Sequence, residues 1–170
     1  MKKGNKFKGK VVHTKNFDLI LDFYLFNCPC VRTIKSSGTD SRKIPISQRG
    51  FTLDKYGFAK QKLNKLFKSM KKDLSGRIYS YKDEISFQKS DLPNSTIEFV
   101  AYAKRSDMSN TATIFYMIRN ALAHGSFRVE KNTYYFVSEK NNKTKAQMKL
   151  KETTLLKWMN EIQNGRIDTI

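Results

Sequence analysis

The chain has 170 residues, enough for one domain with a sizeable core, and 39% hydrophobic content with twelve Phe and eight Tyr argues against a disordered polyelectrolyte. Lys and Arg number 33 against 15 Asp and Glu, a net charge of +18, a field that favours polyanions such as nucleic acid or an anionic surface. Nineteen of the basic and five of the acidic residues precede residue 81, so the charge is concentrated in the first half.

Residues 1–15 form a basic leader. The apolar stretch that follows carries Asp18 and Asp22 and has no small-residue cleavage site, unlike a signal peptide. No apolar run approaches the length of a membrane span, so the expectation is a cytoplasmic protein without a membrane partner. Residues 16–26, NFDLILDFYLF, predict an opening helix with Asn16 as cap, although the aromatic content leaves a strand open. Cys28 and Cys30 are too close for an easy disulfide, and with His13 and His124 isolated no zinc spacing is present. Two reduced, structural cysteines and no metal or cofactor are expected.

Residues 33–50, rich in Ser, Gly and Arg, predict a long basic loop. From Thr52 to Lys72, Leu53, Tyr56, Leu63, Leu66, Phe67 and Met70 recur at helical spacing while lysines fill the other face. Linkers are expected at Gly76 and around Asp91 and Pro93, then a helix from Ser95 to Arg105. A second helix over 110–124 closes at Gly125, the residue type that most often ends helices in a left-handed conformation. Two β-rich segments around an Asn/Lys turn predict a hairpin, and TTLLKWMNEIQNG a capped terminal helix. The predicted fold is mainly α, with a small β-hairpin before the C-terminal helix, all in a single domain over 1–170.

On the 110–124 helix, Ile114, Met117, Ile118, Ala121 and Leu122 make an apolar stripe at about 100° per residue, with Phe115 at its margin. Tyr116, Asn120 and His124 fall four apart in a slanted polar row. Arg119 lies on the other shoulder of the polar face, roughly 140° from His124 on the same projection. Ala123 between them is small enough for a phosphate or a partner backbone to approach.

The stretch IRNALAHGSF, residues 118–127, closely resembles the Arg-x4-6-His signature of HEPN domains (higher eukaryotes and prokaryotes nucleotide-binding) in its Arg-Asn-x-x-x-His form. The order of helix, motif, hairpin and final helix over residues 95–165 resembles the family more loosely, and residues 1–50 do not. The resemblance implies an HEPN-like helical bundle, a metal-independent ribonuclease and a homodimer whose two motifs line one cleft. It implies Arg119 and His124 as the catalytic pair, with Asn120 as polar partner. Ser126 stands where some relatives paired with a nucleotidyltransferase carry Tyr. The role of a defence effector or toxin acting on tRNA or mRNA, with an antitoxin or regulatory partner, also comes only from the resemblance.

The chemistry suits those residue types. RNA carries its own nucleophile, the 2′-hydroxyl, so cleavage needs a proton acceptor, a proton donor for the leaving 5′-oxygen and a cation on the phosphorane. Imidazole suits the proton transfers, and a fork-shaped guanidinium suits the non-bridging oxygens. The products would be a 2′,3′-cyclic phosphate and a 5′-hydroxyl. Tyr116, Ser126 and Glu98 are supporting candidates, and Lys104, Arg105, Lys65, Lys68 and Lys72 are candidate RNA contacts. A non-catalytic RNA- or DNA-binding module, and an interaction or nucleotide-binding subunit of a toxin–antitoxin-like complex, are the alternatives.

Overall fold

The computed structural model describes residues 16–28, 60–92 and 96–163. The leader over 1–15, Cys30, the loop over 33–50, the start of the first-half helix over 52–59 and Ser95 lie outside the described residues. In chain order come α1 (Phe17–Asp22), continued by a π-helical turn (Phe23–Asn27), α2 (Lys60–Asp73), β1 (Ile78–Tyr81), α3 (Glu84–Lys89) and β2 (Phe99–Ala103). There follow α4 (Asn110–Ala123), β3 (Phe127–Glu130), β4 (Thr133–Lys140), β5 (Lys143–Lys151) and α5 (Glu152–Gln163).

The strands form one five-stranded mixed sheet in the order β1-β2-β5-β4-β3. A mainly α bundle is therefore the wrong class, and β2 shows why. Phe99–Ala103 was expected to lie inside a helix, yet it is an inner strand, parallel to β1 and antiparallel to β5, with all five residues buried. Val100 and Tyr102 enter the main core, whereas Phe99, Ala101 and Ala103 pack with Phe87 of α3 on the opposite face. A strand covered on both faces has an unbroken apolar run instead of alternation, and periodicity alone does not distinguish that from a buried helix.

The expected hairpin exists within a larger meander. Lys131 and Asn132 link β3 to β4, Asn141 and Asn142 link β4 to β5, and all four have positive φ, between 46° and 60°. Two left-handed residues in succession are the signature of the two-residue hairpin turn whose twist matches that of the strands. Ile20, Phe23 and Tyr24 from the first helix, Leu66 and Met70 from α2, and Leu155 and Trp158 from α5 join α4 and the sheet in one core. Asn16 does not cap α1 with its side chain; it donates instead to Glu152 at 2.8 Å, tying the first helix to the start of α5. Cys28 is a buried free thiol that donates to the Tyr24 carbonyl at 3.1 Å.

Candidate functional site

Helix α4 carries the Arg-Asn-x-x-x-His motif, and local chemistry sets both its ends. The Ser109 hydroxyl accepts from the Ala112 amide at 3.2 Å, and the Thr113 hydroxyl donates to the Ser109 carbonyl at 2.8 Å. At the other end His124 is the C-cap and Gly125 turns left-handed at φ +64°. The Ser126 amide reaches back to the Ala121 carbonyl at 2.8 Å and the Gly125 amide to Leu122 at 3.2 Å. These paired bonds satisfy carbonyls that a helix terminus would otherwise leave open. The expected apolar stripe is buried. Phe115 is buried with it because the first helix covers that flank: its ring stacks on Tyr24 at 5.6 Å and meets Phe23 edge-on at 6.4 Å.

The helix end is fixed against the sheet by the Val137 amide, which donates to the Ser126 carbonyl at 2.9 Å. This brings the β4–β5 turn beside His124. His124 is exposed and opens into a cleft of about 450 Å³ with Ser126, Glu139, Lys140, Asn141 and Asn142. Sequence reasoning missed the last four as site residues. The Asn/Lys turn was visible as a turn, but nothing local in it says that the meander folds back under the end of α4.

Arg119 does not line that cleft. Its Nε donates to the Leu25 carbonyl at 3.2 Å, in the π-helical turn, where terminal carbonyls lack partners within their own helix. Arg119 thus faces the first helix, whereas His124 faces the β4–β5 turn. No hydrogen bond joins Arg119 and His124 among the described residues, and the cation beside His124 in its cleft is Lys140.

The polar row extends further along α4. The Arg105 guanidinium lies 4.7 Å from the centroid of the Tyr116 ring, a cation–π arrangement, and grips Asp107 in two bonds of 2.9 and 2.7 Å. The bonds to Asp107 chiefly hold the guanidinium above its ordinary, already high, pKa. Arg105, Tyr116, Asn120 and His124 therefore follow one flank of α4, with Asn120 half-buried between its two neighbours in the row. Lys104 is exposed at the end of β2, and Lys65, Lys68 and Lys72 are exposed on α2; none of them lines the His124 cleft.

Glu98 is placed apart from the motif. Its Oε1 accepts from the Lys151 amide and the Thr154 hydroxyl, each at 2.6 Å, so it caps the start of α5 from the residue just before β2. Glu98→Ala is expected to cost about 0.5–2 kcal/mol, the usual range for a lost N-terminal cap, and to leave any activity that depends on the His124 cleft, which Glu98 does not line, unchanged. A thermal melt beside an activity assay checks both halves of that expectation.

Among the described residues no group of three or more His, Cys, Asp or Glu is placed to hold a metal ion, and no helix is long and apolar enough to cross a membrane. Searches of curated proteins and of solved structures give no significant match. A family model described as HEPN pEK499 p136 matches residues 47–167, well over half of the chain and including all of α2 to α5. With the Arg-Asn-x-x-x-His motif closing α4 inside that span, the chain belongs to the HEPN family.

Proposed function

We propose that this HEPN protein is a metal-independent RNA endonuclease. The observation that carries the proposal is the position of His124: a helix-terminal, exposed imidazole in a cleft with a lysine, a glutamate, a serine and two asparagines. In the proposed reaction an imidazole takes the proton of the 2′-hydroxyl, whose oxygen attacks the adjacent phosphorus. The bond from phosphorus to the 5′-oxygen breaks, and that oxygen receives a proton from a second acid. The products are a 2′,3′-cyclic phosphate and a 5′-hydroxyl, and no oxidant or cofactor enters the balance.

Lys140 stands beside His124 as a cation for the phosphate, and Asn141, Asn142 and Ser126 offer hydrogen bonds to the ribose or to non-bridging oxygens. One imidazole cannot be acid and base at once, so a homodimer that joins two motifs belongs to the proposal, with Arg119 acting across the pair. Arg105 and Tyr116 extend the row along which RNA would lie. The biological role proposed with it is that of a defence effector or toxin in the cytoplasm, acting on tRNA or mRNA and restrained by an antitoxin or regulatory protein.

The bond from Arg119 to Leu25 favours a second reading, a non-catalytic nucleic-acid-binding module in which the arginine holds the first helix in place. Incubation with mixed RNA in excess EDTA separates the two. Cleavage of RNA, with a matched all-DNA strand left whole, is expected of the nuclease. Intact RNA, or cutting that needs magnesium, would leave binding alone.

A further inference from the structure

The sheet face turned away from α4 and α5 is only partly covered. Helix α3 packs Phe87 against Phe99, Ala101 and Ala103, and beyond it the register places Arg128, Tyr135 and Lys149 side by side across β3, β4 and β5. The Arg128 guanidinium stacks 4.4 Å from the Tyr135 ring centroid, and the Lys149 ammonium lies 5.6 Å from the same centroid. Next to this row is a cleft of about 630 Å³ whose lining includes Arg77, Lys131, Tyr135, Lys149 and Lys151.

The cations of this cleft outnumber its carboxylates, four to two. Arg77 donates to the Glu98 carbonyl at 2.8 Å and Lys149 to the Thr96 carbonyl at 2.6 Å, both neutral acceptors. No side-chain ion pair engages Arg77, Lys131, Lys149 or Lys151 among the described residues. Of the two carboxylates in the lining, Glu130 pairs with Arg128 at 3.4 Å, whereas Glu98 accepts from neutral donors at the start of α5 and keeps its charge. Four positive charges set against the one unpaired carboxylate of Glu98 therefore leave a net positive concavity beside a stacked guanidinium–aromatic pair. A phosphodiester backbone offsets that excess of positive charge, and unpaired bases stack on aromatic and guanidinium planes of this kind.

We propose that this cleft holds single-stranded RNA at a distance from the bond to be cut. The proposal deepens the RNA reading above and rests on it only for the identity of the polymer. From Tyr135 to Lys140, at the His124 cleft, β4 advances about 17 Å at the usual rise per residue, and because the two clefts lie on opposite faces a substrate strand that engages both rounds the sheet edge at β3. Holding of this kind adds affinity and sets direction while leaving base identity open.

The test measures binding separately from cutting, by fluorescence anisotropy of a labelled single-stranded RNA with the full chain carrying His124→Ala throughout. Lys131→Glu with Lys151→Glu is compared with Lys82→Glu with Lys89→Glu, an equal change of charge at two exposed lysines that line neither cleft. The first pair is expected to weaken binding more than about tenfold and to lower the slope of log K against log salt by about 1.4, as loss of two phosphate contacts implies for single strands. The second pair is expected to change affinity less than about threefold, and Tyr135→Ala to weaken binding about fivefold or more, through lost stacking. Equal losses from the two pairs, or a parent that does not bind RNA, would overturn the inference. Cleft-dependent binding by a wild-type chain that leaves RNA uncut would uphold it while ending the nuclease reading.

Discussion

His124→Ala is expected to cut RNA at least about a hundredfold more slowly than the parent, the usual loss when a proton-transfer group is removed, and to melt with it. Both halves follow from its position. The side chain is exposed at the C-cap, its backbone bonds do not involve the imidazole, and the helix-end electrostatics it contributes are worth about 1 kcal/mol or less at an exposed site. Leu122→Ala, two residues earlier, should do the reverse. Leu122 is buried in the main core, and truncation of a buried leucine costs about 2–5 kcal/mol through lost burial and a residual cavity. Arg119→Ala falls between them, because it removes both the proposed phosphate contact and the bond to Leu25. A histidine variant that melts far below the parent, or that cuts at the parental rate, would reduce His124 to a helix cap.

The largest loss of stability is expected at Trp158. Its side chain is fully buried, and its Nε1 donates to Asp73 of α2 at 3.0 Å, so one residue joins α5 both to the core and to α2. Trp158→Ala should cost about 3–5 kcal/mol, a large share of the roughly 5–15 kcal/mol that holds a domain folded. Trp158→Phe keeps most of the volume and loses the donor. Asp73 retains Lys157 as a partner, so the phenylalanine variant should lose only about 1 kcal/mol. Chemical denaturation of the three proteins gives the ranking directly. Equal midpoints for Trp158→Ala and the parent would contradict the packing described for α5.

How much of this could be read from the sequence varies by element. Helix α4, its apolar stripe and its end at Gly125 were legible because period, cap and left-handed residue are local signals. The β3–β4–β5 region was legible as β structure, but its extent was not, since Lys131–Asn132 carries no glycine to mark a second turn. Strand β2 was not legible: Phe-Val-Ala-Tyr-Ala is apolar at every position, and only the partners on its two faces make it a strand. The short β1 and α3 fall between the two expected linkers and carry no assignment from the sequence, although Asp83 accepts from the Ser86 amide at 2.7 Å in an ordinary N-cap. For the site, the motif and its angular spread were legible, whereas Glu139 and Lys140 reach His124 through tertiary pairing, and the tie from Arg119 to Leu25 spans 94 residues.

In the proposed reaction the substrate supplies its own nucleophile beside His124. The most direct test is an RNA oligonucleotide in which the nucleotide 5′ to a mapped cut carries a single 2′-deoxy substitution, incubated with the protein in EDTA. The expected result is that cutting stops at that bond alone and continues at other sites, each product ending in a 2′,3′-cyclic phosphate. Undiminished cutting at the substituted bond would contradict it, because the attacking oxygen would then have to come from water.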